Sequence, residues 1–520
     1  MEEGRIHNML GLIEFSRCYL KVFGVWVFRL LLIGIALGAF SWNADSVFFG
    51  GNVYFTDGDC YARMTRVRLL QEHPVTPIRE HGFENYPIGT RPHTTAPLDY
   101  LIAGFAVVLK MFSREALPLA GAWISPLLGV LTLGTLAVWL RKVPFGGATI
   151  LLLAVSPIIS HGFLLGRPDH QSLLMMLIAV ALAAEVDMWS GKPRGRISAV
   201  AWALALWVSL FEPLILLSAV LLLRVCVRRL VFARVPLMIF GVILLTGFLI
   251  DGFHVAAFDA HFSSWALNIG ELRHASLPVL FSWAGWLAVL APIGLPAGFF
   301  KKREPVHLLL CGLTVLLGGL TFWHLRWGYF FVITFALSLP WILPLARWKV
   351  LGWGIFLISL WPVADYWDSM LYPDDETFRA RGESVVDAVA LRDAAIQLKG
   401  LPERGVIAPW WFSPAIVWWS GQPCVAGTSH QSLPGIVDAS EFFLSEGSGQ
   451  EILARRKAGY IVAYEPDRVI SNAAQILKRA APSNPLARRL YDHPRLTDFR
   501  LVYANRFFRI FECPASQNGY

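Results

Sequence analysis

Charge is what this sequence has least of. Only 16% of its 520 residues are Asp, Glu, Lys or Arg, 55% are apolar, and the mean hydropathy is +0.52. That balance excludes an ordinary soluble protein and indicates a polytopic α-helical membrane protein. Cysteine is scarce too. Cys18, Cys60, Cys226, Cys311, Cys424 and Cys513 have no metal-ligand spacing. Cys424 and Cys513 are the two that could pair if the polar tail is extracytoplasmic. There is no internal repeat and no low-complexity tract. No small-residue cleavage site follows the first apolar run, so a cleavable signal is not expected. The net charge of +8 does not imply nucleic acid, because Lys and Arg lie mostly in short loops between apolar runs.

What is present is a series of apolar runs near the length of a membrane span. They fall at 23–42, 117–140, 146–164, 170–187, 198–211, 213–227, 235–252, 278–299, 306–323, 328–346 and 348–365, about eleven in all. Residues 96–112 are apolar as well, but Asp99 and Lys110 leave only a short clean run. The positive-inside rule decides against a crossing there. Without it, Arg141 and Lys142, then Lys192, Arg194 and Arg196, then Arg224, Arg228, Arg229 and Arg234, then Lys301, Lys302 and Arg303, then Arg347 and Lys349 all fall on the side of the N-terminus. The expected organisation is a membrane domain over 1–365 and an extracytoplasmic α/β domain over 366–520. Residues 43–116 form a first external loop with an interfacial or re-entrant helix, and 253–277 a second large one. In the tail, GVIAPWW, KAGYIVAY and RLVYANRFFRIFEC read as strands and 380–400 as a helix.

The few acidic residues sit at the edges of these runs, and the topology puts them on one face. Asp57 and Asp59 in FTDGDCYAR precede an amphipathic stretch. Carboxylates there suit Mg²⁺ or Mn²⁺, or simply make a polar turn. Arg63, Arg66 and Arg68 follow, to hold a phosphate or to lie at lipid headgroups. Asp169 in GRPDHQ fits a helix N-cap or a functional carboxylate beside Arg167, with Gln171 a neutral oxygen donor two residues on. Glu271 lies in a loop with His254, Asp259, His261, Arg273 and His274, whose spacing does not make a zinc site. Glu212 reads as a cap, and Arg326 as a snorkelling or a substrate-orienting arginine.

Taken in order, these motifs resemble the catalytic subunit of oligosaccharyltransferases, membrane glycosyltransferases of the GT-C fold, over nearly the whole chain. Asp59-Cys60-Tyr61 matches that family's D-x-Y setting in the first outer loop. Asp169-His170-Gln171 matches the first position of its second acidic motif and departs at the last. Asn268-Ile269-Gly270-Glu271 matches its later T-I-x-E or S-x-x-E motif at Ile and Glu, and Arg326-Trp327-Gly328-Tyr329 corresponds to its arginine-led span. One departure is large: where the family has W-W-D-Y-G for the hydroxy residue of its acceptor, this chain has Trp410-Trp411-Phe412-Ser413-Pro414.

The resemblance implies glycosyl transfer from a polyprenyl-diphosphate or polyprenyl-phosphate sugar at the outer membrane face, by direct displacement. Asp59, Asp169 and Glu271 are the implied catalytic and metal residues, with Asp57 and Gln171 as further ligands of a divalent cation. Arg63, Arg326, Trp410 and Trp411 are the implied substrate contacts. The acceptor, protein, lipid or glycan, stays open. Three readings compete: an oligosaccharyltransferase-like enzyme, another GT-C enzyme using a single sugar on polyprenyl monophosphate, and a non-enzymatic transporter or assembly subunit. Polar residues at span edges and the missing repeat speak against the last.

Overall fold

The computed structural model describes residues 27–74, 76–92, 96–227, 233–252, 260–496 and 498–514. The start of the first expected span, Cys18, Arg228, Arg229, His254 and Asp259 lie outside the described residues. Within them the protein is mostly helical, with a small mixed sheet near the C-terminus.

All eleven expected segments are helical, but not all cross on the same terms. Five helices are long and apolar enough to span by themselves: Ala116–Trp139, His170–Trp189, Arg234–Asp251, Val306–Trp323 and Leu325–Leu345. Two bent pairs raise this to seven, Leu277–Ala284 with Leu287–Lys302 and Lys349–Ser359 with Trp361–Leu371. The expected segment 146–164 breaks between Gly146–Val155 and Pro157–Gly162. Proline removes the amide there and pushes Ser156 to an extended ψ of 123°. Helix Pro97–Leu109 has 13 residues, about 20 Å, too short for a hydrocarbon core of about 30 Å. It is pinned by its own acid: Arg63 Nη1 lies 2.5 Å from Asp99 Oδ1, and Arg66 Nε lies 3.1 Å from Oδ2.

The segment that joins Gly162 to His170 is stitched into place before any side chain acts. The Leu165 amide donates to Phe40 O at 2.8 Å, Gly166 to Ala122 O at 3.0 Å, and Thr56 to Gly166 O at 3.0 Å. Gly166 has φ +74°, and a Cβ there would lie 2.7 Å from Val47 Cγ2. Both demands exclude larger residues. This turn therefore ties the start of the first loop to two spans. Twenty residues of helix His170–Trp189 then separate it from the far end of the bundle. There Asp187 pairs with Lys192 at 2.6 Å and Arg194 at 3.4 Å, and Glu185 with Arg224 at 2.6 Å.

The C-terminal part forms a four-stranded sheet in the order Gly405–Ile407, Ala458–Ala463, Arg509–Glu512, Arg500–Ala504. Its first pair is parallel and the others antiparallel. The three strand-like runs read from the sequence are these strands, the last of them a hairpin. The expected helix at 380–400 is Asp375–Ile396, capped by Asp374, which accepts from the Thr377 amide at 2.7 Å. The candidate disulfide is not formed: Cys424 and Cys513 are separate buried thiols.

The first loop closes onto this sheet. The Cys424 amide donates to Phe83 O at 3.0 Å and Tyr86 donates to Cys424 O at 3.1 Å. Arg68 lies 3.8 Å over the Trp418 ring. Glu84 is buried in the same seam, where Ser432 Oγ donates to its Oε2 at 3.0 Å. Burial pushes the Glu84 carboxyl up from 4.5 to about 7, against that hydrogen bond and the charge of Arg66. Between those values the native state binds a proton that the unfolded state releases. Stability therefore falls as pH rises through this window and stays lost above it. Glu84→Gln, neutral at every pH, is expected to match the wild type at pH 4. At pH 8 it should exceed it by up to about 3 kcal/mol, read as thermal midpoints in detergent. An equal effect at both pH values contradicts this account.

Candidate active site

Arg167 organises the site. Its side chain is only 6% exposed, and three carboxylates from three chain segments surround it. Nε lies 3.7 Å from Asp57 Oδ2, and Nη2 lies 3.2 Å from Asp169 Oδ2 and 2.7 Å from Glu271 Oε1. Nη1 donates to the Tyr329 hydroxyl at 3.3 Å. A guanidinium is always charged and has donors on several edges, so it can hold acids that arrive from different directions.

Each acid is placed by a different local device. Asp57 is an N-cap: its Oδ1 accepts from the Cys60 amide at 2.9 Å, starting helix Gly58–Glu72. Asp169 occupies the corresponding position of helix His170–Trp189 but does not cap it. Its oxygens face Arg167 and His170, whose Nδ1 is 2.6 Å from Oδ1. The bland reading of Asp169 as a cap therefore fails, while Asp57, read from the sequence as a ligand or a polar turn, is a cap. Burial works to raise Asp169, but His170 and Arg167 outweigh it and keep the carboxyl well below its usual range. Glu271 rides on the 3₁₀ turn Gly270–Leu272.

Asp59 stands one residue inside the same helix as Cys60 and Tyr61. Solvent reaches its side chain although protein atoms crowd it on most sides, as on the floor of a recess. That crowding, with the negative charge of Asp57 and further off of Asp169 and Glu84, pushes its carboxyl up to about 8. Gly58 makes the close approach of the C-terminal domain possible. A Cβ there would lie 2.5 Å from Thr428 Cγ2 and 3.2 Å from the Trp411 carbonyl oxygen.

Trp410 and Trp411 bridge the two acid-bearing loops. The Trp411 backbone abuts Gly58. The Trp410 ring meets Trp265 edge-on at 5.9 Å, and its Nε1 donates to Asn472 Oδ1 at 3.0 Å. Asn472 in turn donates to Asn268 Oδ1 at 2.8 Å, three residues before Glu271. Phe412 packs on Tyr464 and Phe508, and Ser413 and Pro414 are buried, so this segment offers no acid where the resembling family has one.

Two expected substrate contacts are already engaged. Arg63 is spent on Asp99, 36 residues away, though it lies near enough to Asp169 to favour its charge. Arg326 is ion-paired with the fully buried Glu212, which also accepts from Ser209 Oγ at 2.7 Å. Glu212 is thus a counter-ion, not merely a cap. The sequence reading named Arg167 only as a neighbour of Asp169, and it missed His161, whose Nδ1 lies 2.8 Å from the Tyr329 hydroxyl. A lone His at the end of an apolar run was the available signal.

Among the described residues no three His, Cys, Asp or Glu side chains form a metal-binding cluster, because Arg167 stands between the acids. The donor chemistry nevertheless fits a hard divalent cation. The acids outnumber the guanidinium, Asp59 is raised in part by its acidic neighbours, and the Gln171 amide is buried with both polar atoms unpartnered.

No protein-family model matches this chain, and no curated protein matches it by sequence. Solved structures do match in three dimensions. An oligosaccharyltransferase, AglB, from Archaeoglobus fulgidus in complex with an inhibitory peptide and a dolichol-phosphate has a TM-score of 0.65 at 14% identity, over 96% of this chain and 75% of that one. The Archaeoglobus fulgidus oligosaccharyltransferase in complex with Zn and sulfate gives 0.68 at 14% identity, over 92% and 78%. ArnT from Cupriavidus metallidurans bound to undecaprenyl phosphate gives 0.55 at 14% identity, over 95% and 99%. The chain has the fold of GT-C membrane glycosyltransferases.

The charge balance around Arg167 is open to test. Arg167→Met strands three acids and is expected to destabilise the protein by about 3–5 kcal/mol. Adding Glu271→Gln should recover part of that loss. A double variant no more stable than Arg167→Met would show that charge is not what Arg167 supplies.

Proposed function

We propose that this protein transfers a sugar from a polyprenyl-phosphate-linked donor to an acceptor held between the recess and the C-terminal domain. The observation that carries the reading is the cluster of acids around Arg167. In a GT-C fold, acids from three separate segments gather around Arg167, with Asp59 beside them, at one end of an apolar bundle. The lipid tail would lie against the spans and the acceptor under the C-terminal domain. The basic residues beyond Trp139 and Trp189 occupy the opposite end, which favours the recess and the C-terminal domain on the extracytoplasmic side.

In the reaction the acceptor oxygen attacks the anomeric carbon on the face away from the phosphate. The bond from that carbon to the phosphate oxygen breaks, and its electron pair leaves with the lipid phosphate. Asp59, reachable from the recess, takes the acceptor's proton. Asp169 and Glu271, fixed by Arg167, hold the recess open as a pre-organised polar site. Asp59, Asp169 and Glu271, with Asp57 and Gln171, would hold a Mg²⁺ or Mn²⁺ ion, which neutralises charge on the departing phosphate when bound.

The Phe412-Ser413-Pro414 run, packed inward with Ser413 and Pro414 buried, and the near-complete coverage of ArnT favour a single sugar on a monophosphate carrier and an acceptor other than a hydroxy-residue sequon. The second reading is an oligosaccharyltransferase-like transfer from a diphosphate carrier. The higher TM-scores with the archaeal oligosaccharyltransferase favour it. Labelled sugar on undecaprenyl phosphate or diphosphate, incubated with membranes, tests both through release of the lipid carrier. Asp59→Asn and Asp169→Asn should each cut release about 100-fold or more. Full turnover by either variant would remove these acids from the chemistry.

A further inference from the structure

His161 is the polar side chain of the recess to which nothing above gives a task. It lies near the end of the short helix Pro157–Gly162, on the bundle side of Arg167, and its ring is open to solvent despite dense protein around it. Its Nδ1 is 2.8 Å from the Tyr329 hydroxyl. Two other groups compete for that hydroxyl: Arg167 Nη1 at 3.3 Å and Glu271 Oε1 at 3.4 Å.

The proton count at Tyr329 fixes the state of the imidazole. Arg167 can only donate, so it uses a lone pair of the phenol oxygen. The phenol has one proton to give. His161 Nδ1 is the near acceptor at 2.8 Å, and Glu271 at 3.4 Å is the distant one. The proton goes to Nδ1, and the neutral ring then carries its own on Nε2. Nε2 has no hydrogen-bond partner among the described residues, and the His161 side chain is exposed. The relay from Arg167 through Tyr329 thus presents one N–H, pre-oriented, to the recess.

The two ends of the recess differ. Asp57 and Asp59 border the C-terminal domain, where an anion is repelled. His161 sits on the bundle side, beside the guanidinium, whose Nη1 donates to the His161 carbonyl oxygen and to the Tyr329 hydroxyl, each at 3.3 Å. A lipid-linked phosphate would enter from the bundle side, because its tail belongs among the spans.

We propose that His161 Nε2–H donates a hydrogen bond to a phosphate oxygen of the polyprenyl-phosphate carrier, with Arg167 and Tyr329 fixing the tautomer. The assignment rests on the transferase reading above. It is tested on the full chain in detergent, by binding of undecaprenyl phosphate to the wild type, His161→Ala, His161→Gln and Tyr329→Phe, with thermal midpoints recorded in parallel. His161→Ala should weaken binding about 10-fold or more, the range for a hydrogen bond to a charged group. His161→Gln, whose amide can still donate, should regain most of it. Tyr329→Phe should weaken binding less and add little to His161→Ala. Wild-type affinity in folded His161→Ala overturns the role of His161 while leaving the transferase reading in place. A wild-type protein that binds no undecaprenyl phosphate overturns the donor assignment and this inference together.

Discussion

A guanidinium surrounded by three carboxylates, nearly closed off from solvent, is the interaction on which the rest depends. Removing such charges from water costs several kcal/mol per ion, and only good geometry and further hydrogen bonds repay it. Here the geometry is set by backbone. Gly166 takes a left-handed turn that few residues tolerate, and hydrogen bonds from the amides of Leu165, Gly166 and Thr56 lock that turn to two spans and the first loop. Arg167 then has one direction to point. Asp57, Asp169 and Glu271 meet it from the first loop, a helix start and a distant 3₁₀ turn. The ion network thus records that three segments far apart in sequence have docked correctly.

The C-terminal domain completes the enclosure without adding an acid of its own. Gly58 lets it approach the Asp57–Asp59 turn, and the Trp410–Asn472–Asn268 chain steadies the loop of Glu271. The run Phe412-Ser413-Pro414 is turned inward as packing. A segment that recognises acceptors in the resembling family here acts as a brace. In the proposed transferase, transfer chemistry and acceptor choice would be carried by different parts of the molecule.

Much of this was legible in the sequence because membranes simplify the problem. Apolar runs and loop arginines gave the spans and their order, and a topology that puts Asp59, Asp169 and Glu271 on one face brings them within reach of each other. What could not be read was pairing. Arg63 looked free beside Arg66 and Arg68, but its partner Asp99 lies in a helix that seemed merely interfacial. Arg326 looked like a substrate contact until Glu212 proved to be its counter-ion. The capping roles of the two aspartates were not legible for a similar reason. Capping depends on one torsion and one amide, and Asp57 has that geometry while Asp169 turns to Arg167 and His170. His161 left only the signal of a lone histidine at the end of an apolar run, and its partner is 168 residues away. The breaks within the spans were not legible for a plainer cause: proline and glycine interrupt helices without making the run less apolar.

The most direct measurement is an experimental structure of the full chain with undecaprenyl phosphate bound in a lipid nanodisc. The account predicts the phosphate in the recess bounded by Arg167, His161, Asp59 and Glu271, with the tail running along the spans. A phosphate bound elsewhere on the bundle, or Arg167 turned away from Asp169 and Glu271 with the recess closed, would contradict it.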